Sequence, residues 1–158
     1  MLSCIQERAR GRLILSIVLI ICSSGCDAGI QYRPKDWAQV SGSLYWTKAF
    51  GPAEFTILPI GGLVGQWWTG LEMFVTNHSD EYPVSIVDAV LKTKKGDYRA
   101  SWFTQSHIQP GERRKSAILW DFKHEERLSD LLIEPVEVTI TIRIGEEQQT
   151  VVIPMVRL

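Results

Sequence analysis

Beyond residue 26, this chain of 158 residues has no cysteine, since its three cysteines are Cys4, Cys22 and Cys26. The remainder therefore has no disulfide framework, no thiolate metal site and no thiol nucleophile. A strong charge of one sign is also missing, because the formal net charge is −1. This near-neutral balance argues against a nucleic-acid partner, which needs a basic surface.

Motifs for catalysis or metal binding are missing as well. His78, His107 and His124 form no HxH, HxxxH or HExxH spacing, and zinc or copper needs three or four converging donors. No nucleophile elbow or paired-carboxylate signature can be read, and a lone carboxylate such as Asp88 is expected to face solvent. We therefore predict a protein without catalytic residues, without a metal and without another cofactor.

Two stretches keep an enzyme open as an alternative. His78, Asp80 and Glu81 lie in one predicted turn, NHSDEYP, and residues 59–66 are rich in glycine. A phosphate loop would end in Gly-Lys-Ser/Thr or run into a helix, and residues 59–66 do neither. An enzyme built on these residues would need a cleft that only the fold can supply.

The start of the chain has the three parts of a secretory signal. Arginines in MLSCIQERARGR precede the apolar run Leu13–Ile21, and CSSG then leads to Cys26. The run is shorter than the about 20 residues that cross a bilayer as a helix, which disfavours an uncleaved transmembrane helix. Plain secretion, with cleavage near Gly25 or Ala28, is the other alternative.

Ser23-Ser24-Gly25-Cys26 resembles the lipobox of bacterial lipoproteins. In that family the cysteine thiol is diacylated and the preceding peptide bond is cut, which implies that Cys26 is the acylated first mature residue. Ser23 stands where the family usually has an aliphatic residue. Asp27 resembles the residue that retains some of these proteins in the inner membrane, and inner and outer membrane both stay open. Each buried methylene of an acyl chain adds about 0.8 kcal/mol to membrane binding.

Period-two alternation of apolar residues predicts β-strands through most of the remaining chain. It is sharpest in PVEVTITIRIG, where the residues from Val136 to Ile144 alternate between a dry and a wet face. Residues 124–132 fit one or two helical turns, and Pro154 indicates a sheet edge. Further strands are predicted at residues 40–46, 54–58, 67–77, 84–94, 97–103, 114–122 and 150–156. Short strands separated by regular turns are typical of a β-sandwich.

The order FVTNHSDEYP, IQPGE and ILWDF is similar to the immunoglobulin-like domains of many bacterial lipoproteins and surface proteins. We therefore predict an all-β fold, an immunoglobulin-like antiparallel β-sandwich with one short helical connection, preceded by an N-terminal signal helix. Its parts are a lipoprotein signal peptide at residues 1–25, a tether at 26–39 and the sandwich domain at 40–158. The resemblance brings no chemistry with it.

Aromatic residues are the candidates for a binding surface. Trp67 is predicted to share the core face with Leu71 and Met73, which places Trp68 and Phe74 on the opposite face. Either aromatics from residues 40–60 cover that face, or Trp68 and Phe74 form a possible binding surface for a protein or a glycan. Two further tryptophans, Trp102 and Trp120, are expected in the core.

Together these features predict a membrane-anchored envelope lipoprotein that acts as a non-catalytic binding or scaffolding module. Its partners would be the lipid bilayer, through acylated Cys26, and an envelope protein. The alternatives are a glycan or peptide carrier that uses exposed aromatics and a cryptic envelope enzyme. The expected location is the cell envelope of a bacterium.

Overall fold

A computed structural model of the chain describes residues 29–62, 67–105, 107–122 and 128–158. The predicted signal helix, Cys26, part of the glycine-rich stretch and the first predicted helical turn lie outside these residues. The described part is almost entirely β-strand, and its strands belong to one continuous antiparallel ladder. Within it, no helix has both the length and the apolar character needed to cross a membrane.

The described residues form 13 strands and one short helix. Strands β1 to β6 are Ile30–Pro34, Ala38–Gln39, Trp46–Phe50, Ala53–Ile57, Ile60–Gly62 and Trp68–Asn77. Strands β7 to β13 are Val84–Thr93, Gly96–Arg99, Trp102–Phe103, His107–Ile108, Arg113–Asp121, Val136–Ile144 and Glu147–Arg157. The helix α1 is Leu128–Leu131, within the stretch predicted to be helical.

The ladder folds into two facing sheets. The first has the order β4-β6-β11-β9, with β5 beside β6 and the β2–β3 hairpin beside β4. The second has the order β8-β7-β12-β13, with β10 beside β7. Strand β1 joins the sheets, because Ile30–Tyr32 pairs with β5 and Tyr32–Pro34 pairs with β13. This is the strand arrangement of immunoglobulin-like sandwiches, so the predicted fold class is confirmed.

The core lies between the sheets and follows the predicted alternation. Every second residue of β12 from Val136 to Ile142 is buried, and β6 buries Leu71 and Met73 as predicted. Trp120 of β11 is fully buried, also as predicted. Each large apolar side chain removed from water in this way contributes about 1.5–3 kcal/mol, and this burial holds the two sheets together.

The N-terminal border of the sandwich differs from the prediction. Residues 30–34, assigned to the tether at 26–39, form β1, in which Tyr32 is buried and its hydroxyl donates to the Leu132 carbonyl oxygen at 2.8 Å. The strand predicted at residues 40–46 is instead mostly the turn between β2 and β3. Gly42 has a φ of 68° there, a conformation that suits a turn rather than a strand. The sandwich therefore includes residues from Ile30 onward.

The sheet edge predicted from Pro154 is present. Strand β1 pairs with β13 only at Met155–Arg157, and the Pro154 carbonyl oxygen accepts the Lys35 N–H at 2.8 Å. Before Pro154, β12 is the one strand of the described chain that pairs with β13. A proline without an N–H is tolerated at such a position because no neighbouring strand needs its donor.

Candidate binding surfaces

The two ends of the sandwich are defined by where β1 begins. Ile30 pairs with Gly62 of β5, and Trp68, the first residue of β6, pairs with Asp121 of β11. These residues lie at one end of the sandwich, which we call the proximal end. The opposite end, where β6 and β12 finish, is the distal end.

Trp68 and Trp102 flank Leu119 on the outer side of the first sheet. Leu119 of β11 pairs with Trp102 of β9 on one side and with Gly70 of β6 on the other, and Trp68 shares the face of Gly70. Trp68 and Trp102 are two strands apart and are offset by two residues along the strands, so their backbones lie about 12 Å apart. The side chains are 45% and 56% exposed. We call Trp68, Leu119 and Trp102 the aromatic surface.

Two tryptophans predicted in the core are therefore exposed. Trp67 is 45% exposed, because β6 begins only at the next residue and Thr69 fills the inward position at the strand end. Trp102 faces outward because it pairs with the outward-facing Leu119. The inward direction in β9 belongs to its neighbour Phe103, which packs against the core.

Phe74 shares the outer face of β6 with Trp68 but is half-buried. The Tyr45 ring lies 5.9 Å from the Phe74 ring, centroid to centroid, and the Arg113 guanidinium lies 4.6 Å from the same centroid. Residues 40–60 thus cover Phe74 in part, through Tyr45, and leave Trp68 open. The predicted pair of Trp68 and Phe74 is replaced by Trp68 and Trp102 as the exposed aromatics of this face.

A polar cleft lies on the outer face of the second sheet, near the distal end. Ser85 of β7 pairs with His107 of β10 on one side and with Arg143 of β12 on the other. The Ser85 hydroxyl oxygen and His107 Nδ1 are 2.7 Å apart. Phe103, Gln105 and the apolar side chains of Ile86 and Val87 complete the lining of an open cleft of about 450 Å³, within the size range of small-ligand sites. We call Ser85, Gln105, His107 and Arg143 the polar cleft.

Arg143 is the cation of the polar cleft. It is exposed, and no carboxylate of the described chain forms an ion pair with it. Asp88, farther along β7, accepts two hydrogen bonds of 2.9 Å from Arg99, and these bonds hold the pKa of Asp88 below its usual value. A guanidinium, a hydroxyl and an imidazole thus converge without a competing carboxylate, which suits an anionic ligand.

The turn with His78, Asp80 and Glu81 forms part of the distal end. The three residues lie on a surface turn, and His78 Nε2 is 3.4 Å from a Glu54 carboxylate oxygen. Throughout the described ranges, no three His, Cys, Asp or Glu side chains lie close enough together to hold a metal ion. Asp88 is on an outer face, as expected for a carboxylate that interrupts an apolar strand.

No protein-family model and no curated protein matches this sequence. Among solved structures, a similar one is the GAE domain of yeast GGA1, which is 10% identical in sequence with a TM-score of 0.39. The match covers 70% of this chain and 94% of that chain. A likeness at this level says nothing about function.

Proposed function

We propose that this protein is a bacterial envelope lipoprotein, held to the membrane by acylated Cys26, whose sandwich domain is a non-catalytic binding module. The observation that supports the binding role is Arg143, an exposed guanidinium without a carboxylate partner in the described chain. The ligand that suits it is a carboxylate presented by an envelope protein. Arg143 can donate two parallel N–H bonds to such a group, and Ser85 and His107 lie beside it.

The position of the polar cleft suits this role. Cys26 precedes Gly29 by three residues in the sequence, and Ile30, the residue after Gly29, lies at the proximal end, whereas the cleft lies near the distal end. Strand β12 runs between these ends over eight residue steps, about 27 Å. A ligand bound in the cleft would therefore sit well above the bilayer surface.

N-acetylalanine, titrated against the His107 ring signals in NMR spectra, tests the cleft. The acid should shift these signals and the neutral N-acetylalanine amide should not. Arg143→Gln should weaken binding by about tenfold or more, because hydrogen bonds to charged groups contribute about 1.5–3 kcal/mol. Arg114→Gln, which changes a distal arginine paired with Glu112, is the matched control. Equal shifts with acid and amide, or wild-type binding by Arg143→Gln, would contradict a carboxylate site.

Membrane fractionation tests the anchor separately. Cys26→Ala should move the protein out of the membrane fraction, because the acyl chains have no other attachment site in the proposal. Cys22→Ala is the control and should remain in the membrane fraction. If Cys26→Ala stays membrane-bound and is processed normally, lipidation at Cys26 is wrong.

One contact favours a hydrolytic enzyme as the second candidate. The 2.7 Å contact between Ser85 and His107 resembles the pairing of a nucleophile with its base. A fluorophosphonate probe should label the wild-type protein and spare Ser85→Ala if this pair is catalytic. The binding-module proposal expects no Ser85-dependent labelling.

A further inference from the structure

We propose that the aromatic surface, together with Trp67, lies against the headgroup region of the membrane, so that the protein is held by a lipid and by one end of its sandwich. This inference rests on the proposed acylation of Cys26. It concerns the proximal end of the molecule and leaves the polar cleft free at the distal end.

The length of chain between Cys26 and the sandwich is the first argument. Three residue steps separate Cys26 from Gly29, and at about 3.3–3.6 Å per residue they span at most about 11 Å. Gly29 itself cannot move far from the sheet, because the next residue pairs with Gly62 and β1 is bound on both sides. An acylated Cys26 would therefore keep the proximal end within about one headgroup layer of the bilayer.

The side chains at this end are the second argument. Trp67 and Trp68 are exposed there, and exposed Ile133 lies just before β12 begins. Ile133 is held near β1, because the adjacent Leu132 carbonyl accepts the Tyr32 hydroxyl. Tryptophan combines an apolar body with one N–H donor and is enriched at membrane–water interfaces. The proximal end thus offers the bilayer the side chains that prefer its interface.

Charge sets the depth of this contact. Asp121 is exposed and pairs with Trp68 across the strands. A carboxylate in hydrocarbon is costly, so Asp121 keeps Trp68 at the level of the headgroups. Among those, phosphatidylethanolamine has an ammonium group that can face Asp121.

Spin labelling of the acylated full-length protein in phosphatidylethanolamine/phosphatidylglycerol vesicles tests the contact. A nitroxide would be attached to Ser101→Cys, an exposed position beside Trp102 near the proximal end, or to Glu146→Cys at the distal end. Cys4 and Cys22 leave with the signal peptide and Cys26 is blocked by lipid, so the introduced cysteine is the reactive thiol. Collisions with a water-soluble nickel complex should be roughly threefold fewer at position 101 than at 146, because interfacial tryptophans hold that end at the bilayer.

Two variants separate the aromatic contact from the anchor. Trp67→Ser/Trp68→Ser should raise the collision rate at position 101 toward that at 146 while the protein still sediments with the vesicles. Val152→Ser, which changes an exposed valine in the middle of β13 in the second sheet, should change neither rate. Unfolding midpoints measured beside the collision rates would show whether a variant has lost its fold.

The outcomes distinguish the two proposals. Equal collision rates at 101 and 146 in protein that sediments with vesicles would overturn the contact and leave the anchor intact. Shielding of position 101 without vesicles, or only in native envelope membranes, would also overturn it and assign the surface to the protein itself or to an envelope protein or glycan. Protein that does not sediment, with Cys26 open to the label, would overturn both proposals.

Discussion

The two ends of the sandwich differ in what they expose and in how they are closed. At the distal end, buried Asn77 donates to the carbonyl oxygens of Tyr82 and Ile108 and accepts the Ser79 N–H. The proximal end exposes Trp67 and Trp68. One end is thus closed by satisfied polar groups, whereas the other presents apolar surface to its surroundings. The difference shows that the molecule has a direction along its strands, which fits a domain held at one end and free at the other.

The largest expected effect contrasts the inside and the outside of the first sheet near the proximal end. Trp120→Ala should lower the free energy of unfolding by about 3–5 kcal/mol, because it empties a fully buried site. Trp68→Ala and Trp102→Ala should each change it by about 0.5 kcal/mol or less. Urea unfolding followed by circular dichroism measures all three. If Trp102→Ala lowered the free energy of unfolding as much as Trp120→Ala, the aromatic surface would belong to the core.

The next effect compares the hydrogen bonds that close the two ends. Asn77→Ala should lower the free energy of unfolding by about 3 kcal/mol, since it leaves buried polar groups without partners. Tyr32→Phe, which removes the single bond to Leu132, should cost about 1 kcal/mol. Asn77→Asp keeps the acceptor for Ser79 but places a carboxylate oxygen against two carbonyl oxygens, so it should lower the free energy of unfolding at least as much as Asn77→Ala. Equal costs for Asn77→Ala and Tyr32→Phe would remove the asymmetry between the ends.

A smaller effect compares two buried hydroxyls. Thr69 at the proximal end donates to the Gly61 carbonyl oxygen at 3.0 Å, whereas the Ser116 hydroxyl, farther along the first sheet, has no hydrogen-bond partner among the described residues. Ser116→Ala should raise the free energy of unfolding by about 1 kcal/mol, and Thr69→Val should lower it by a similar amount. Thermal unfolding measures the change in the free energy of unfolding for each variant. If both variants were stabilised or both destabilised, the two hydroxyls would not differ in hydrogen bonding as described.

The smallest effect is expected midway between the ends, at the pair of Asp88 and Arg99. Hydrogen bonding to Arg99 lowers the pKa of Asp88 in the folded state. The pair therefore stabilises the protein above the ordinary pKa of 3.8, and this contribution is lost as the pH falls through the lower folded-state pKa. Asp88→Asn should have a slightly lower free energy of unfolding than the wild type at pH 7, and this difference between the two proteins should disappear in acid. If the difference in the free energy of unfolding became larger in acid, the pKa of Asp88 could not be lowered in the folded state.

Prediction from the sequence succeeded where one face of a long strand is buried. In β12 and β6 the aliphatic residues alternate with polar ones, so the period identifies both the strand and its inward face. It failed for β1, because the buried positions there are Tyr32 and Pro34, and a proline reads as a break. It failed for Trp102, because a two-residue strand has no period from which a direction can be read.

The polar cleft had no signal in the sequence at all. Ser85 and His107 are 22 residues apart in the chain, and Arg143 comes from a third strand. They meet because β7 pairs with β10 on one side and β12 on the other. Spacing rules find sites built on one helix or loop, but a site that runs across a sheet depends on strand order and register, which one sequence does not reveal.

Strand β1 has a mechanical consequence. It is the first element after the proposed lipid attachment, and it pairs with β5 in one sheet and with β13 in the other. A pull on the bilayer side acts along the length of this strand, so its hydrogen bonds to both neighbours are loaded together in shear instead of opening one after another. We expect the domain to resist extraction force best in the direction in which the membrane would apply it.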